Sequence, residues 1–531
     1  MTVNLQLKPS DMNITHKGVE PFVGLNLGDV NKFRDSLTYN ITSYLQSVNI
    51  ENDKDGEILW LSSSYFIKEM MGLFTSWYFT NEIAKKNYTV SGSEFIKSLL
   101  NNDKIENKPI VDFYLRGLPK PEAWKKNLRF IKSRVLKNNF PYCLPKMIKK
   151  NDIITFSKTR LIVEHSKIVS KRVVISKFND WFSSGNWIKN SEKGITKKTE
   201  DLIVNFLVKA FEDSGNKNVS NEIIKYSREI LIIICSRTNF FLNELKLNSK
   251  YLPNTLWIST AGLFYNRLMA RVVMMNGGEV IAHDHGTGLG WVNTYITNLV
   301  EFNFINNFVT YSPGMVEGYK QKLLHKSCLN PNCNIISISK KNKLDCNNNF
   351  QKIKKKYNPK SVMYLSNLYE GDGSHLIPTM SDYLHVNWQA NLFSFLHQHK
   401  FDIYFKPHPE SHSLPPPYFE KMYDVKILKG MFHEFSNTAD VVISDHPLST
   451  AFIESLQYKL PTVLIYLPLY KISDKAINLL SKRCPIVEGI FDHNGKINVD
   501  FNAIKKAINN AKNMTEDNSF INYYLPFKMK I

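Results

Sequence analysis

From Thr255 onward the chain alternates short apolar runs with longer amphipathic ones. "AGLFYNRLMARVVMMNGG" (Ala261–Gly278) carries apolar residues at helical spacing and closes on two glycines, a favourable helix end. "EVIAH" (Glu279–His283) then reads as a buried strand, and "DHGTGLGW" (Asp284–Trp291) as a glycine-rich loop. The same grammar resumes with "SVMYLSN" (Ser361–Asn367), "FDIYFKPH" (Phe401–His408), "ADVVISDH" (Ala439–His446) and "PTVLIY" (Pro461–Tyr466), each a strand too apolar for an exposed sheet. "SDYLHVNWQANLFSFLHQH" (Ser381–His399) has the length and spacing of an intervening helix. Strands alternating with helices predict parallel sheets covered on both faces.

The first 250 residues are less regular, mixing helical patterns with Lys- and Asn-rich loops. Within them "EILWLSSSYF" (Glu57–Phe66) reads as a strand followed by a serine-rich turn. "KNKLDCNNNFQKIKKKYNPK" is polar, basic and aperiodic, as an interdomain linker would be. The expected division is a domain over 1–340, a linker over 341–360, a second domain over 361–500, and a helix with an aromatic tail over 501–531. The fold class is α/β, with an N-terminal extension of mixed α/β character.

Composition narrows the class. Apolar residues make up 43% of the 531 positions and aromatics 12%, so the chain can bury more than one core. A net charge of +20 suits nucleic acid, an anionic membrane face, or phosphorylated and acidic substrates. No basic stripe is interleaved with aromatics and no nucleic-acid module is recognisable, which leaves nucleic acid as the weakest of the three. The six cysteines are scattered without a CxxC pair, pointing to a reducing compartment rather than a disulfide framework or a zinc module. "MTVNLQLKPSDMN" lacks the layout of a signal peptide, and no apolar run approaches a membrane span. The expectation is a cytoplasmic protein, with peripheral contact to the inner face of the membrane as its basic surface would allow.

In parallel sheets ligands bind outside the carboxyl ends of the strands. Three polar segments fall there: "NLYEGDGSH" (Asn367–His375), "KPHPESH" (Lys406–His412) and "SDHPLST" (Ser444–Thr450). In the last, Ser449 and Thr450 open a helix, whose free N–H groups and partial positive charge suit a phosphate. Glu454 lies one turn further on the same face, where a carboxylate accepts hydroxyls of a ribose. Lys406, and His408 fixed between two prolines, would face that phosphate from the neighbouring strand end. Ser366 and Asn367, at the first strand's exit, complete this set. The competing reading is a helix cap, a solvated glutamate and a proline-rich strand exit.

A strand ending in Lys-Pro-His-Pro, then Ala-Asp-x-x-x-Ser-Asp and a Ser/Thr-led helix, resembles bacterial surface-polysaccharide transferases. These include capsule Kdo transferases, bacterial sialyltransferases and CDP-glycerol glycerophosphotransferases. The resemblance implies a GT-B architecture, two Rossmann-like domains facing across a cleft, with His408, Pro409, Ser449 and Thr450 on the CMP of a donor. "YEGDG" resembles the acidic motif of sialyltransferases, which would make Glu370 or Asp372 a general base, although Gly371 interrupts it. The glycine-rich loop resembles the His-Gly-Gly-x-Tyr-Gly segment of O-antigen-cluster transferases through His285, Gly286, Gly288 and Gly290, while Thr287 and Leu289 depart from it.

Glycines there would let backbone N–H groups of Gly286 and Gly288 approach an anionic donor. Asp284 is the candidate nucleophile or base, with His285 beside it. On a strand His283 and His285 share one face and Asp284 the other, so the three are poorly placed for a metal; metal-independent chemistry is expected. Glu301 is a further acid, read as a solvated helix residue. The expected reaction transfers a 2-keto acid sugar (Kdo, or a sialic, pseudaminic or legionaminic acid) from CMP to a lipid-linked or soluble glycan. Another nucleotide donor, or a GT-B epimerase, is the alternative.

Overall fold

The apolar runs build two parallel sheets. The computed structural model describes residues 26–86, 148–181, 194–339, 357–369 and 381–525 apart from single residues or pairs, with strand fragments and a few further positions before 106. The proposed linker falls almost wholly outside the described residues, as do Glu370 and Asp372.

The first sheet holds β1 (Ile153–Thr155), β2 (Val173–Ile175), β3 (Thr255–Ile258), β4 (Glu279–His283), β5 (Asn307–Thr310) and β6 (Asn334–Ser337). Their order is β6-β5-β4-β3-β1-β2, every pairing parallel. The second holds β7 (Ser361–Leu365), β8 (Asp402–Lys406), β9 (Lys426–Ile427), β10 (Val441–Ser444), β11 (Thr462–Tyr466), β12 (Ile486–Phe491) and β13 (Ile497–Val499). Their order is β9-β8-β7-β10-β11-β12-β13, parallel except for the last pair. In each sheet the direction of growth reverses once, between β1 and β3 and between β7 and β10. Connections leave such a reversal toward opposite faces, so a crevice opens at the carboxyl ends of the two strands.

The N-terminal region is helical where the described residues are continuous. Helix α1 (Leu27–Ser47) and helix α2 (Lys54–Lys85) pack with the later pair Lys197–Asp213 and Asn221–Leu247. Phe33 stacks on Phe74 at 4.1 Å, and Phe211 closes on both. "EILWLSSSYF" is therefore not a strand and turn: it lies inside α2. Asp53 caps that helix by accepting the Gly56 N–H at 2.9 Å. The serines do not break it, because Ser62 bonds the Ile58 carbonyl one turn back (2.7 Å) and Ser64 accepts from the buried Arg267 (2.7 Å).

The two sheets are joined along a seam. Lys471–Ile472 pairs antiparallel with Val292–Asn293, and the Ser473 N–H donates to the Trp291 carbonyl at 2.8 Å. The C-terminal helix Ser519–Tyr524 packs against the same place: Phe520 and Tyr524 meet Trp291 edge-on, and Ser312 donates to the Tyr524 carbonyl (2.9 Å). The tightest contact is at Gly288, where a Cβ would stand 2.3 Å from Leu448 Cδ2 and 2.8 Å from Leu448 Cα. The glycine loop of the first sheet thus lies directly against the residue before Ser449.

Gly288→Ala should accordingly force the two segments apart, lowering stability by about 1–3 kcal/mol as overpacking does. Urea unfolding of the variant checks this; an unchanged midpoint would show that the seam yields freely.

Candidate functional site

The reversal between β7 and β10 carries a cavity of about 210 Å³. Its wall includes Ser366 after β7, Lys406, His408 and Pro409 after β8, and Ser449, Thr450 and Glu454 on helix α3 (Thr450–Gln457). Seven residues singled out from the sequence thus share one cavity. Asn367 is buried alongside, its side chain accepting the Leu368 N–H at 2.7 Å. Met431 and Phe432 form an apolar side of the cavity, and nothing in their local sequence announced it.

Ser449 is the N-cap of α3, yet its hydroxyl makes no capping bond. Thr159, Thr196, Ser220, Ser312, Ser381 and Ser473 all use theirs to cap the helices they begin. At Ser449 the hydroxyl is therefore left for the cavity rather than spent on the helix. The contrast with Glu454 is sharper still. That residue is 1% exposed, and its Oε1 has no hydrogen-bond partner among the described residues. Burial pushes its carboxyl up to about 7. It is not the solvated glutamate of the competing reading.

Lys406 is also buried; its ammonium donates to the Pro407 carbonyl at 2.7 Å, and burial lowers its pKa against the pull of Glu434. His446, quoted in the motif but not among the expected site residues, is pushed down to about 4. Burial is the main cause, with His408 and His385 adding to it and Asp445 opposing. His446 and His408 are thus neighbours, and His446 is neutral at physiological pH.

A polar layer supports this floor. Asp445 Oδ2 accepts from Tyr364 (2.5 Å) and Trp388 (2.9 Å), with His385 Nε2 at 3.7 Å. Burial alone would raise the Asp445 pKa, but His385 and Tyr364 together hold it below the usual range. Gln389 then joins Tyr364, Tyr369 and Ser366.

On the first sheet, Asp284 is 1% exposed at the end of β4. It accepts from Tyr319 (2.9 Å), Thr310 (3.3 Å) and the Gly286 N–H (3.1 Å). Burial, the largest influence, drives its pKa up to about 7 even though His285 and the Tyr319 bond pull the other way. Beside it Lys322, also buried, falls to about 7 and donates to the Leu289 carbonyl in the glycine loop. His283 is buried and paired with His165 at 2.9 Å, burial pushing it down to about 3. His285 turns outward, its side chain 44% exposed with Nδ1 3.7 Å from Glu301. Glu301 corrects an expectation: it is 3% exposed, not solvated, because Thr260 donates to both its oxygens (2.7 and 2.8 Å) and the Ala261 N–H adds a third bond at 3.3 Å.

Of the glycines, Gly288 and Gly290 face Leu448 and Met315 closely, whereas Gly286 has open space. Among the described residues no group of three His, Cys, Asp or Glu is arranged to hold a metal ion, and no helix is long and apolar enough to cross a membrane.

Such a cavity, at the carboxyl ends of parallel strands in an α/β protein, is where enzymes of this class hold ligands. Residues 120–481 match the LIC12162 family transferase profile, and the chain belongs to that family. The match runs from before β1 to the helix after the seam, and so includes both sheets' candidate residues. No curated protein sequence matches the chain. The protein is an enzyme of the transferase class.

Glu454 makes stability depend on pH. Its folded value of about 7 lies above the ordinary 4.5, so the folded state holds the proton more tightly. Stability is then greatest below about 4.5, falls as pH rises toward 7, and levels off above, a change of about 3 kcal/mol. Urea titrations at a series of pH values should show this slope reduced in Glu454→Gln; an identical slope would exclude Glu454 as its source.

Proposed function

We propose that the chain is a GT-B glycosyltransferase that moves a 2-keto acid sugar from a CMP donor to a glycan acceptor of a surface polysaccharide. The observation that carries this reading is Glu454, a buried acid whose Oε1 has no partner among the described residues, in one cavity with the Ser449 hydroxyl that makes no capping bond. A ribose supplies the hydroxyls that Glu454 lacks, and a phosphate suits the helix start one turn earlier. The strand order β9-β8-β7-β10-β11-β12 supports the reading too, being that of doubly wound nucleotide-binding sheets.

The chemistry follows from the residues around the seam. The acceptor hydroxyl attacks the anomeric carbon of the donor, the carbon–oxygen bond to CMP breaks, and CMP leaves with the bonding pair. Lys406, the helix start and the His408 ring offset the charge that develops on the phosphate. The hydroxyl proton needs a base close by. His285 suits that role better than Asp284, since its ring is accessible and Glu301 stands behind Nδ1, leaving Nε2 for the acceptor. Asp284 is enclosed and shapes the loop through Gly286 and Tyr319. Three residues beyond His285, Gly288 meets the segment that would hold the phosphate. The acceptor is read as lipid-linked, with the net charge of +20 favouring an anionic membrane face.

His408→Ala and Ser449→Ala should each weaken CMP binding by roughly tenfold, the cost of one charge-assisted hydrogen bond. His285→Ala should lower kcat by roughly 10²–10⁴ with CMP affinity retained. Calorimetry and product mass analysis across CMP-, CDP-, UDP- and GDP-linked donors decide the matter; turnover of another donor with none of a CMP-sugar would reject the donor assignment.

A further inference from the structure

Arg160 belongs to neither set of residues above, yet it lies between them. It follows β1, at the reversal of the first sheet, in the short helix Arg160–Ser166. Its neighbour Leu161 is buried in a cluster with Val309 and Tyr311. Tyr311 feels the charges of both Asp284 and Arg160, so it stands between the arginine and that buried acid.

The charge of Arg160 also reaches the second sheet. Burial raises the pKa of both Tyr311 and Tyr458, and Arg160 opposes the rise at each. Tyr458 ends α3 one turn after Glu454, to whose carbonyl its N–H donates at 2.8 Å, and its ring lies parallel to Phe432, which lines the cavity.

One nitrogen of this half-buried guanidinium is unsatisfied among the described residues. Nη1 is buried and has no hydrogen-bond partner, and Arg160 forms no ion pair among the described residues. Arg267 and Arg271, by contrast, are engaged: Arg267 donates to the Leu61 and Leu299 carbonyls, and Arg271 pairs with Glu51 and Glu57. An arginine keeps its charge at every physiological pH, so a desolvated, unbonded N–H costs stability unless a ligand completes it. Its planar fork matches the two oxygens of a carboxylate or phosphoryl group.

We propose that Arg160 is a specificity-determining residue that binds an anionic oxygen pair of the substrate held between the two sheets. The inference deepens the donor reading above and rests on it for the identity of the substrate. The anion is either the carboxylate of the transferred sugar or the phosphate of the nucleotide, and the two differ in what removal of the arginine does.

The test compares wild type with Arg160→Met and Arg160→Lys by calorimetry, using CMP and CMP-N-acetylneuraminate. A loss of roughly ten- to a hundredfold on the sugar nucleotide alone, partly restored in Arg160→Lys, identifies the carboxylate as the partner. An equal loss on both ligands identifies the phosphate. Unchanged affinity for both overturns the proposal. Should wild type bind neither ligand, the CMP reading falls, and the arginine is judged on anions alone. Pyruvate or inorganic phosphate at constant ionic strength should then raise the melting temperature of wild type but not of Arg160→Met, and equal shifts overturn the proposal. Without ligand, Arg160→Met should melt no lower than wild type, because it removes an unpaired buried donor; a large drop would assign the arginine to structure instead.

Discussion

Asp445 is the constraint on which the site depends. It ends β10 at the point where the second sheet reverses, so it stands directly beneath the crevice. Tyr364 on β7 and Trp388 on the intervening helix both donate to one of its oxygens. These bonds tie together three elements that would otherwise be held only by apolar contact. A buried charge is costly, and bonds from fixed donors to one of its oxygens offset part of that cost. The geometry of the floor is thereby narrowed: moving β7 against β10 would break a charge-assisted bond in a dry environment. Ser366 is tied to this arrangement through Gln389, and its N–H donates to the Lys406 carbonyl at the end of β8.

A second constraint acts across the seam. The glycine loop can touch Leu448 only because Gly288 has no side chain, and the chain behind it can approach only because Gly318 lets the Gly290 carbonyl lie against it. Glycine-rich sequence is commonly read as backbone offered to a ligand. Here two of the glycines also serve backbone and side-chain packing, which sets the loop against Leu448, the residue before Ser449. The loop's relation to the site is therefore positional, and Gly286 alone retains open space.

Much of the second sheet was legible in the sequence because its strands are buried on both faces. "SVMYL", "DIYFK", "VVIS" and "TVLIY" have nothing polar inside them to confuse the period, and the polar residues that follow each one fall where ligands bind. The failures share a cause as well. "EILWLSSSYF" has the residue types of a strand, but serines that bond carbonyls one turn back fit a tightly packed helix equally well. Local pattern does not reveal that choice, since it is set by the helices packed around α2. Glu301 misled for a related reason. Whether a polar residue is solvated depends on what another segment brings to it, and Thr260 is far off in sequence. Arg160 gave no signal at all, being one basic residue in a chain rich in them.

The buried acids on both sides of the seam follow one logic. Asp284 and Glu454 are each held near neutral pH by burial, and Lys322 is brought down to meet them from above. Groups shifted this far by burial are unfavourable in the protein, since each would be more stable solvated in its ordinary form. Structural ion pairs do not account for Glu454, because its buried Oε1 has no partner among the described residues. What relieves such a group is a hydrogen-bond donor that reaches that oxygen, and Ser449 and Thr450 share its cavity. On the donor reading proposed above, that cost would be released on binding, and stability would be exchanged for affinity at this cavity.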